Sequence, residues 1–362
     1  MSQHVVFVGA GDSNLSVLKN WKKRKLKDTS WTLVSPSRYQ YYSGMFSGYT
    51  EGRYSIEDIR IDLKSFCKEN GGRFLKGKVT AVDKRQKNVL TDSGKSLSYD
   101  ILSANIGSTH EKPTVPGVKD YALFLEPNGQ FPSAAEKLQQ TEYPVIRGGD
   151  YKGVEMALSL QEWRKKHHMK TPVTLISNGP VLENEKEEIR DNVLTLLDER
   201  GIMIYENTSV ERMDQDVLYT ENHVIPYGEV LWITGPTPPL IFQYAKLAVD
   251  EKGFLLVSSS LQSLDDSSIF ASGACVTLND YPNMPKNNSY MYKEASTLED
   301  NIIKTLKGKK KLKTFTPPKK RELVLNLGHK KGLYIKGSKY SLDKSSWKLK
   351  KRMDKQFIKQ FS

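Results

Sequence analysis

Residues 4–21 read HVVFVGAGDSNLSVLKNW, which is an apolar run, a glycine turn and a helix-type pattern in direct succession. A second β-type run, Trp31-Thr-Leu-Val34, follows soon after. Strand, turn, helix and strand in this order predict a βαβ unit. Gly9 and Gly11 fit the first two glycines of a dinucleotide site, where residues without a Cβ let the backbone approach a pyrophosphate at the start of a helix.

Two positions of this unit depart from the full dinucleotide pattern. Asn14 stands where a third glycine is usual, and Ser35 ends the second strand where an acidic side chain usually holds a ribose. The position of the turn directly after the first strand still favours phosphate binding. The alternative is an ordinary turn between a strand and a helix.

A second βαβ unit begins at Tyr143-Pro-Val-Ile146 and continues through Gly148 and Gly153 into an apolar helix pattern. Asp150 takes the place of the middle glycine, and a carboxylate at that position would repel a phosphate. The next strand ends at Ser177-Asn178, without an acidic ribose ligand. These residues leave two interpretations open, a nicotinamide nucleotide site or a scaffold with weakened or altered binding.

Composition and charge set the class of protein. The 362 residues suggest about two domains, and 38% hydrophobic residues suffice for a sizeable core. The absence of a secretory leader and of a disulfide framework predicts a cytoplasmic protein, and no apolar run is long enough to span a bilayer. Residues 301–362 carry 20 Lys+Arg and 3 Asp+Glu, whereas the rest of the chain carries 35 and 39. This asymmetry indicates a polyanionic partner or a lysine-rich solvated surface.

Several kinds of chemistry are disfavoured by what the sequence lacks. The two cysteines, Cys67 and Cys275, do not form the closely spaced redox pair of a disulfide reductase, and buried packing is the expected role of both. The histidines show no metal-binding spacing, so no metal is expected. Hydrolase and kinase motifs are absent as well.

An ordered set of motifs resembles a known family. The set comprises the first glycine turn, Tyr99-Asp100 with Ile106-Gly107-Ser108, Gly153-Val-Glu155, Leu231-Trp-Ile-Thr-Gly235, and Ile269-Phe-Ala-Ser-Gly273. Across residues 4–310, the chain resembles the FAD-dependent oxidoreductases of the pyridine nucleotide-disulphide class. It is most similar to the branch of type II NADH:quinone dehydrogenases and sulfide:quinone reductases. Within that branch it is similar to the flavoprotein module fused to selenophosphate synthetase.

The resemblance implies an α/β fold with two Rossmann-like dinucleotide-binding domains. The FAD domain would be discontinuous, over residues 1–112 and 240–312, with an NAD(P)-binding-like domain over 113–239 and a basic extension over 313–362. The implied FAD contacts or neighbours are Gly9, Gly11, Asn14, Ser35, Arg38, Tyr42, Ser43, Gly44, Met45, Gly107, Gly273 and Ala274. The implied nicotinamide-side residues are Gly148, Gly153, Glu155 and Gly235. A helix over Tyr290–Asn301 would cover the flavin, and Glu155 and Lys293 would support catalysis.

Two positions differ from what the resemblance implies. Ala274 follows Gly273 where the family usually has an aspartate that holds the ribityl chain of the flavin. Tyr290-Met-Tyr-Lys-Glu294 replaces a glutamine-rich helix on the quinone side. Both changes keep a degenerate, poorly active member of the family as an alternative.

The C-terminal segment 345–361 has the pattern of a basic amphipathic helix. Leu349, Met353, Phe357 and Phe361 recur every four residues among six lysines and arginines, and Ser345 or Ser346 could cap the helix. Such a helix can lie on an anionic membrane, or it can pack on the body or on a second subunit of a homodimer. Nucleic acid is the least expected partner.

The expected function is therefore an FAD-dependent oxidoreductase that takes electrons from NADH or NADPH and passes them to a membrane quinone. The protein would be cytoplasmic and peripheral on the inner face of the cell membrane. The alternatives are an FAD protein with a different donor and a non-enzymatic flavoprotein scaffold that acts as a membrane-associated binding module.

Overall fold

The computed structural model describes residues 2–24, 26–110, 114–233, 235–286 and 292–361. Its helices, numbered in chain order, are α1 (Asp12–Asn20), α2 (Phe46–Thr50), α3 (Leu63–Glu69), α4 (Val118–Tyr121), α5 (Phe131–Gln140), α6 (Tyr151–Lys166), α7 (Glu187–Glu199), α8 (Ile241–Tyr244), α9 (Ala295–Leu306) and α10 (Lys344–Ile358).

Short strands connect these helices throughout the chain. They are β1 (Gln3–Val8), β2 (Thr29–Ser35), β3 (Tyr39–Tyr41), β4 (Arg60–Asp62), β5 (Arg73–Lys76), β6 (Val79–Asp83), β7 (Asn88–Thr91), β8 (Ser96–Ser98), β9 (Ile101–Ala104), β10 (Thr109–His110), β11 (Ala122–Phe124), β12 (Pro144–Arg147), β13 (Thr174–Ile176), β14 (Met203–Tyr205), β15 (Val210–Met213), β16 (Val217–Thr220), β17 (Val224–Pro226), β18 (Glu229–Trp232), β19 (Pro236–Thr237), β20 (Leu255–Val257), β21 (Ile269–Ala271), β22 (Val276–Leu278), β23 (Glu322–Asn326), β24 (Gly332–Lys336) and β25 (Lys339–Asp343).

The first five-stranded sheet has the order β21-β9-β1-β2-β5, and all its pairs are parallel. The central strand β1 contains the unbroken apolar run Val5–Val8, as is usual where both faces of a parallel sheet are covered. Val5, Val6 and Phe7 are fully buried in it. Strand β21 lies more than 160 residues after β9 in the sequence, so this sheet is built from two separate stretches of the chain.

The second five-stranded sheet has the order β11-β18-β12-β13-β14 and is also parallel throughout. It lies in sequence between β9 and β21 of the first sheet. The prediction of two Rossmann-like sheets, the first one discontinuous, is therefore confirmed. The predicted domain boundaries at 112/113 and 239/240 stay predictions.

The C-terminal residues form a compact unit of their own. Strands β23, β24 and β25 make an antiparallel sheet against which α10 packs. Leu325, Leu333 and Ile335 of this sheet join the core that also contains α5 and α6. Helix α10 begins at Lys344, one residue earlier than predicted, because Asp343 rather than a serine caps it by accepting from the Ser346 amide at 2.8 Å.

Candidate functional site

The first glycine turn leaves no room for side chains. Gly9 has a φ of +83°, and a Cβ on it would lie 2.4 Å from the Asn105 carbonyl oxygen. A Cβ on Gly11 would lie 2.0 Å from Asn105 Oδ1. The carboxyl ends of β1 and β9 can approach each other this closely only because both residues are glycine.

Helix α1 starts from this turn without a side-chain cap. Gly11 is its N-cap residue and has extended backbone, so no side chain accepts from the first amides of the helix. These amides and the helix dipole favour the binding of an anion, such as a pyrophosphate, at this position. Asp12 occupies the first turn, and burial raises its pKa to about 6, which reduces its repulsion of an anion below that pH.

Asn14 is fully buried and fastens the turn from inside. Its Nδ2 donates to the Gly9 carbonyl oxygen at 2.9 Å and to the Ser103 carbonyl oxygen at 3.2 Å. Its Oδ1 accepts from the Ser103 hydroxyl at 2.7 Å. At the position of the third glycine, Asn14 thus connects the turn to β9 through hydrogen bonds from both polar atoms of its side chain.

A second turn of the first sheet follows β21. Gly273, with a φ of +81°, begins a 3-10 turn over Gly273–Cys275 that includes Ala274. The Gly273 amide donates to Glu294 Oε2 at 2.7 Å, and Glu294 is fully buried. The carboxyl group therefore reaches the glycine turn from the start of α9, and neighbouring Lys293 lies half-buried.

Other predicted FAD-side residues lie around the edge of this sheet. Ser35 is buried at the end of β2, and its carbonyl oxygen accepts from the Gly77 amide at 2.9 Å. Arg38 lies at the surface in an ion pair with Asp62 at 2.5 Å. Gly107 follows β9 with a φ of +73° and open space where a Cβ would be. The predicted helix over Tyr290–Asn301 begins outside the described residues; its described part is a 3-10 turn over Tyr292–Glu294 followed by α9, which continues to Leu306.

The segment Tyr42–Met45 is held by the C-terminal helix. The Tyr42 and Phe357 rings stack with centroids 4.0 Å apart and planes at 18°. Lys350 donates from Nζ to the Gly44 carbonyl oxygen, and to both Asp354 carboxylate oxygens at 2.7 Å. The tail helix thus packs on the body through these residues, and its face with Lys348, Arg352 and Lys355 stays exposed.

The Glu155 side chain lies between α6, the α2 segment and the C-terminal unit rather than at the carboxyl edge of the second sheet. Its Oε1 accepts from the Ser47 hydroxyl at 2.9 Å and from the Asn326 amide at 2.8 Å. Burial raises its pKa, and the nearby Lys350 ammonium opposes that rise. Glu155 therefore connects α6, the α2 segment and β23, and it is a group that can carry a proton.

The second glycine turn differs from the first in its helix cap. Asp150 is the N-cap of α6, and its Oδ1 accepts from the Gly153 amide at 3.0 Å. A Cβ on Gly153 would lie 1.7 Å from the Gly148 carbonyl oxygen, so the third glycine is required for this helix to approach the turn. The protein's own carboxylate therefore takes the hydrogen bond that a phosphate would receive at a free helix start.

At the carboxyl edge of the second sheet, the side chain that ends β12 is an arginine rather than a carboxylate. Arg147 Nη2 donates to Asn178 Oδ1 at 2.9 Å, and its guanidinium lies 4.6 Å from the centre of the Trp232 ring. Ser177 is buried beside Gly149. Gly235 is exposed with open space where a Cβ would be. Arg147, Asn178 and Trp232 were not among the predicted site residues.

The residues around the first sheet fit an FAD molecule. The described residues leave three buried polar atoms without a hydrogen-bond partner at its carboxyl edge: Asn105 Oδ1, Ser272 Oγ and Glu294 Oε1. Two of them are acceptors, which the hydroxyl groups of a sugar-alcohol chain can satisfy. Together with the cradle around Gly9 and Gly11, they suit a ligand that has both a pyrophosphate and hydroxyl groups.

Both cysteines are buried and reduced. Burial raises the pKa of Cys67 to about 12 and that of Cys275 to about 11, so neither thiol is a ready nucleophile at neutral pH. This agrees with the packing role predicted for both.

Comparisons with known proteins bear on the family and the fold. A family model described as pyridine nucleotide-disulphide oxidoreductase matches residues 3–297. The NADH dehydrogenase-like protein YutJ of Bacillus subtilis is 23% identical over 279 residues, which cover 76% of this chain and 77% of that protein. A type II NADH:quinone oxidoreductase of Staphylococcus saprophyticus is 22% identical over 298 residues, 75% of this chain and 74% of that protein.

A solved structure resembles the chain over nearly its whole length. It is the sulfide:quinone oxidoreductase from Aquifex aeolicus, with a TM-score of 0.83 and 20% identity, and it covers 99% of this chain and 91% of that one. At this identity, the likeness shows the fold.

Proposed function

We propose, for a chain that belongs to the pyridine nucleotide-disulphide oxidoreductase family, that it passes electrons from a reduced nicotinamide nucleotide through FAD to a quinone. The chain is an FAD-dependent oxidoreductase, and its family and its Rossmann-like fold agree with the sequence-based expectation. The observation that carries the proposal is a pair of glycine turns, each at the carboxyl edge of a five-stranded parallel sheet. The NADH- and quinone-dependent names of the relatives support this donor and this acceptor.

The first sheet would hold the FAD. FAD, when bound, accepts two electrons from a donor and passes them on to an acceptor. Gly9, Gly11 and the start of α1 would bind its pyrophosphate, and the Gly273 turn would face the remainder of the molecule. The stack of Tyr42 on Phe357 would fix the Tyr42–Met45 segment beside it and exclude water from that side.

Reduction of a quinone to a quinol consumes two protons, so a carboxyl group that supplies them must release one proton and be reprotonated from the solvent before it releases the second. Glu155 carries a raised pKa through burial and lies close enough to Lys350 for their charges to interact. Lys350 Nζ in turn contacts Asp354 and the Gly44 carbonyl oxygen. These three side chains connect the interior of the C-terminal unit to the Tyr42–Met45 segment, so we assign them the supply of protons to the acceptor.

The test is an anaerobic titration of the purified protein, followed by its visible absorption. We expect NADH or NADPH to bleach the flavin bands and a soluble quinone to restore them. Gly11→Ala is the control, since its Cβ would meet Asn105 and remove the flavin bands altogether. Bands that neither nucleotide bleaches would reject the nicotinamide donor, and bands that quinone fails to restore would reject the acceptor.

Asp150 favours a second candidate, an FAD protein with a different donor. Its carboxylate already bonds the Gly153 amide where a nicotinamide nucleotide would place a phosphate. Asp150→Asn keeps a side chain that can cap the helix but removes the charge, whereas Asp150→Gly removes both. If the charge blocks the donor, both variants will bleach faster with NADH than the wild type. If the wild type bleaches fastest, this candidate fails.

Docking on an anionic membrane would place the protein near a lipid-soluble quinone. No helix of the described ranges is long and apolar enough to cross a bilayer. Because Phe361 and Trp347 are buried, deleting the tail would damage the core, so charge substitutions are the better test. Glutamine at Lys348, Arg352, Lys355 and Lys359 should abolish salt-sensitive binding to vesicles with anionic lipid. Glutamine at the exposed Lys119, Lys137, Lys165 and Lys170 is the matched control, and equal binding by both variants rejects this surface.

A further inference from the structure

Glu294 is a carboxylic acid enclosed at the carboxyl edge of the first sheet. It is fully buried, and its Oε2 accepts from the Gly273 amide at 2.7 Å. Its Oε1 has no hydrogen-bond partner among the described residues. Burial raises its pKa to about 8. An acid in such a place is costly unless something satisfies its second oxygen.

The usual roles of a glutamate at the start of a helix do not account for Glu294. It precedes α9, yet its side chain makes no capping hydrogen bond to that helix. The cation whose charge acts on it is Lys286, which donates from its ammonium to the Val276 carbonyl oxygen and the Thr277 hydroxyl. Among the described residues, the Glu294 side chain bonds a glycine turn instead, 21 residues earlier in the chain.

The neighbourhood of this acid has further unused hydrogen-bonding capacity. Asn105 Oδ1 and Ser272 Oγ are buried without a partner in the described ranges, and Asn105 Nδ2 donates to the Ser272 carbonyl oxygen at 2.7 Å. Ala274 is partly exposed beside Gly273, and its methyl group offers no acceptor. The Gly273 turn thus carries no acidic side chain of its own, and the carboxyl group beside it is that of Glu294, at the start of α9.

We propose that Glu294 supplies the carboxyl group that binds the ribityl hydroxyls of FAD, in place of the acidic side chain that position 274 lacks. The free Oε1 would form a hydrogen bond with one hydroxyl while Oε2 stays on the Gly273 amide. Asn105 Oδ1 would accept from a second hydroxyl of the same chain. The inference depends on FAD binding alone, so it stands or falls separately from the proposed donor and acceptor.

The first experiment measures FAD affinity for the deflavinated full-length protein by quenching of flavin fluorescence. Glu294→Ala should weaken binding about tenfold to a hundredfold, the effect of losing one hydrogen bond to a charged or acidic group. Adding Ala274→Asp to that variant should restore most of the affinity. Glu299→Gln on the same helix is the matched control, since Glu299 bonds Asn20 and Arg24 away from the turn, and its affinity should equal that of the wild type. Unchanged affinity in Glu294→Ala would overturn the proposal.

The second experiment separates a hydroxyl contact from a structural effect. Glu294→Gln retains the shape of the side chain and an oxygen for the Gly273 amide, so it keeps the test valid if the alanine variant fails to fold. Its loss of affinity for FAD should disappear for one FAD analogue that lacks a single ribityl hydroxyl. An equal loss for FAD and for each of the three deoxy analogues would show that Glu294 only shapes the turn, and would refute the proposal.

Discussion

Replacing Lys350 by methionine should destabilise the protein by about 3–5 kcal/mol, because it leaves Asp354 buried without a partner. Lys350 Nζ contacts Asp354 at 2.7 Å, and the two side chains are only 10% and 6% exposed. The variant also removes the donor to the Gly44 carbonyl oxygen, which loosens α10 from the Tyr42–Met45 segment. Burial already raises the pKa of Asp354, and loss of the ammonium will raise it further.

A double-mutant cycle isolates the pair from general damage to the helix. Asp354→Leu alone should cost a similar amount, since it leaves the buried ammonium without its carboxylate, whereas the double variant should lie within about 1 kcal/mol of the wild type. Urea unfolding of the FAD-saturated full-length chain at pH 7, followed by tryptophan fluorescence, gives each value. If Lys350→Met costs less than about 1 kcal/mol, the pair behaves as a solvated surface ion pair, and the argument from burial is wrong.

Three further outcomes follow from the same structure. Gly11→Ala should purify without flavin, because its Cβ would lie 2.0 Å from Asn105 Oδ1, and a normal content of flavin would contradict the cradle. Glu294→Gln should flatten the dependence of the free energy of unfolding on pH between pH 5 and 9. The wild-type carboxyl has a folded-state pKa of about 8 against an ordinary value near 4.5, so the wild type loses stability, by up to about 5 kcal/mol, as the pH rises. Parallel profiles of the two proteins would contradict the burial of this carboxyl. Phe357→Ala should lower the free energy of unfolding by about 1–2 kcal/mol through loss of the Tyr42 stack, whereas Met353→Ala on the exposed side should change it by less than about 0.5 kcal/mol, as urea unfolding will show.

The fold could be predicted because its signals are local in the sequence. The run Val5–Val8, the turn after it and the helix of α1 are contiguous, and each is written in residue types that suit a buried strand, a tight turn and an amphipathic helix. The Gly153 motif repeats the same order in the second sheet. Short-range signals of this kind need no knowledge of distant residues.

The residues that complete the site could not be found in the same way. Glu294 reads as an ordinary acidic residue near a helix start, and only the fold brings it to Gly273. Lys350 and Asp354 have the spacing of a surface ion pair on a helix, and their burial comes from packing on Gly44, which lies 306 residues earlier in the chain. Asn105 carries no motif, and its position is fixed by the glycines opposite it.

The tail shows the limit of an amphipathic pattern. The spacing of Leu349, Met353, Phe357 and Phe361 indicated a helix over 345–361 with one apolar side, whereas the helix ends at Ile358, before Phe361, and Met353 is exposed. A pattern does not say what covers the apolar side. In the structure, other parts of the chain cover some of it: the Phe357 ring stacks on Tyr42, and the Phe361 and Phe66 ring centroids are 6.0 Å apart. Membrane docking, if it occurs through this helix, therefore depends on its exposed basic side rather than on insertion of its aromatic side chains.

The two helix starts imply different lifetimes for the two nucleotides. Helix α1 has no side-chain cap, so an anion adds hydrogen bonds that the chain does not provide, and binding should stabilise the fold strongly. Helix α6 is already capped by Asp150. A nucleotide there must either displace this carboxylate or accept hydrogen bonds next to it, so its binding should stabilise the fold less. The first arrangement suits a cofactor that stays with the protein, and the second suits a substrate that must leave after each turnover. A nicotinamide nucleotide that stabilised the protein as much as FAD does would contradict this division.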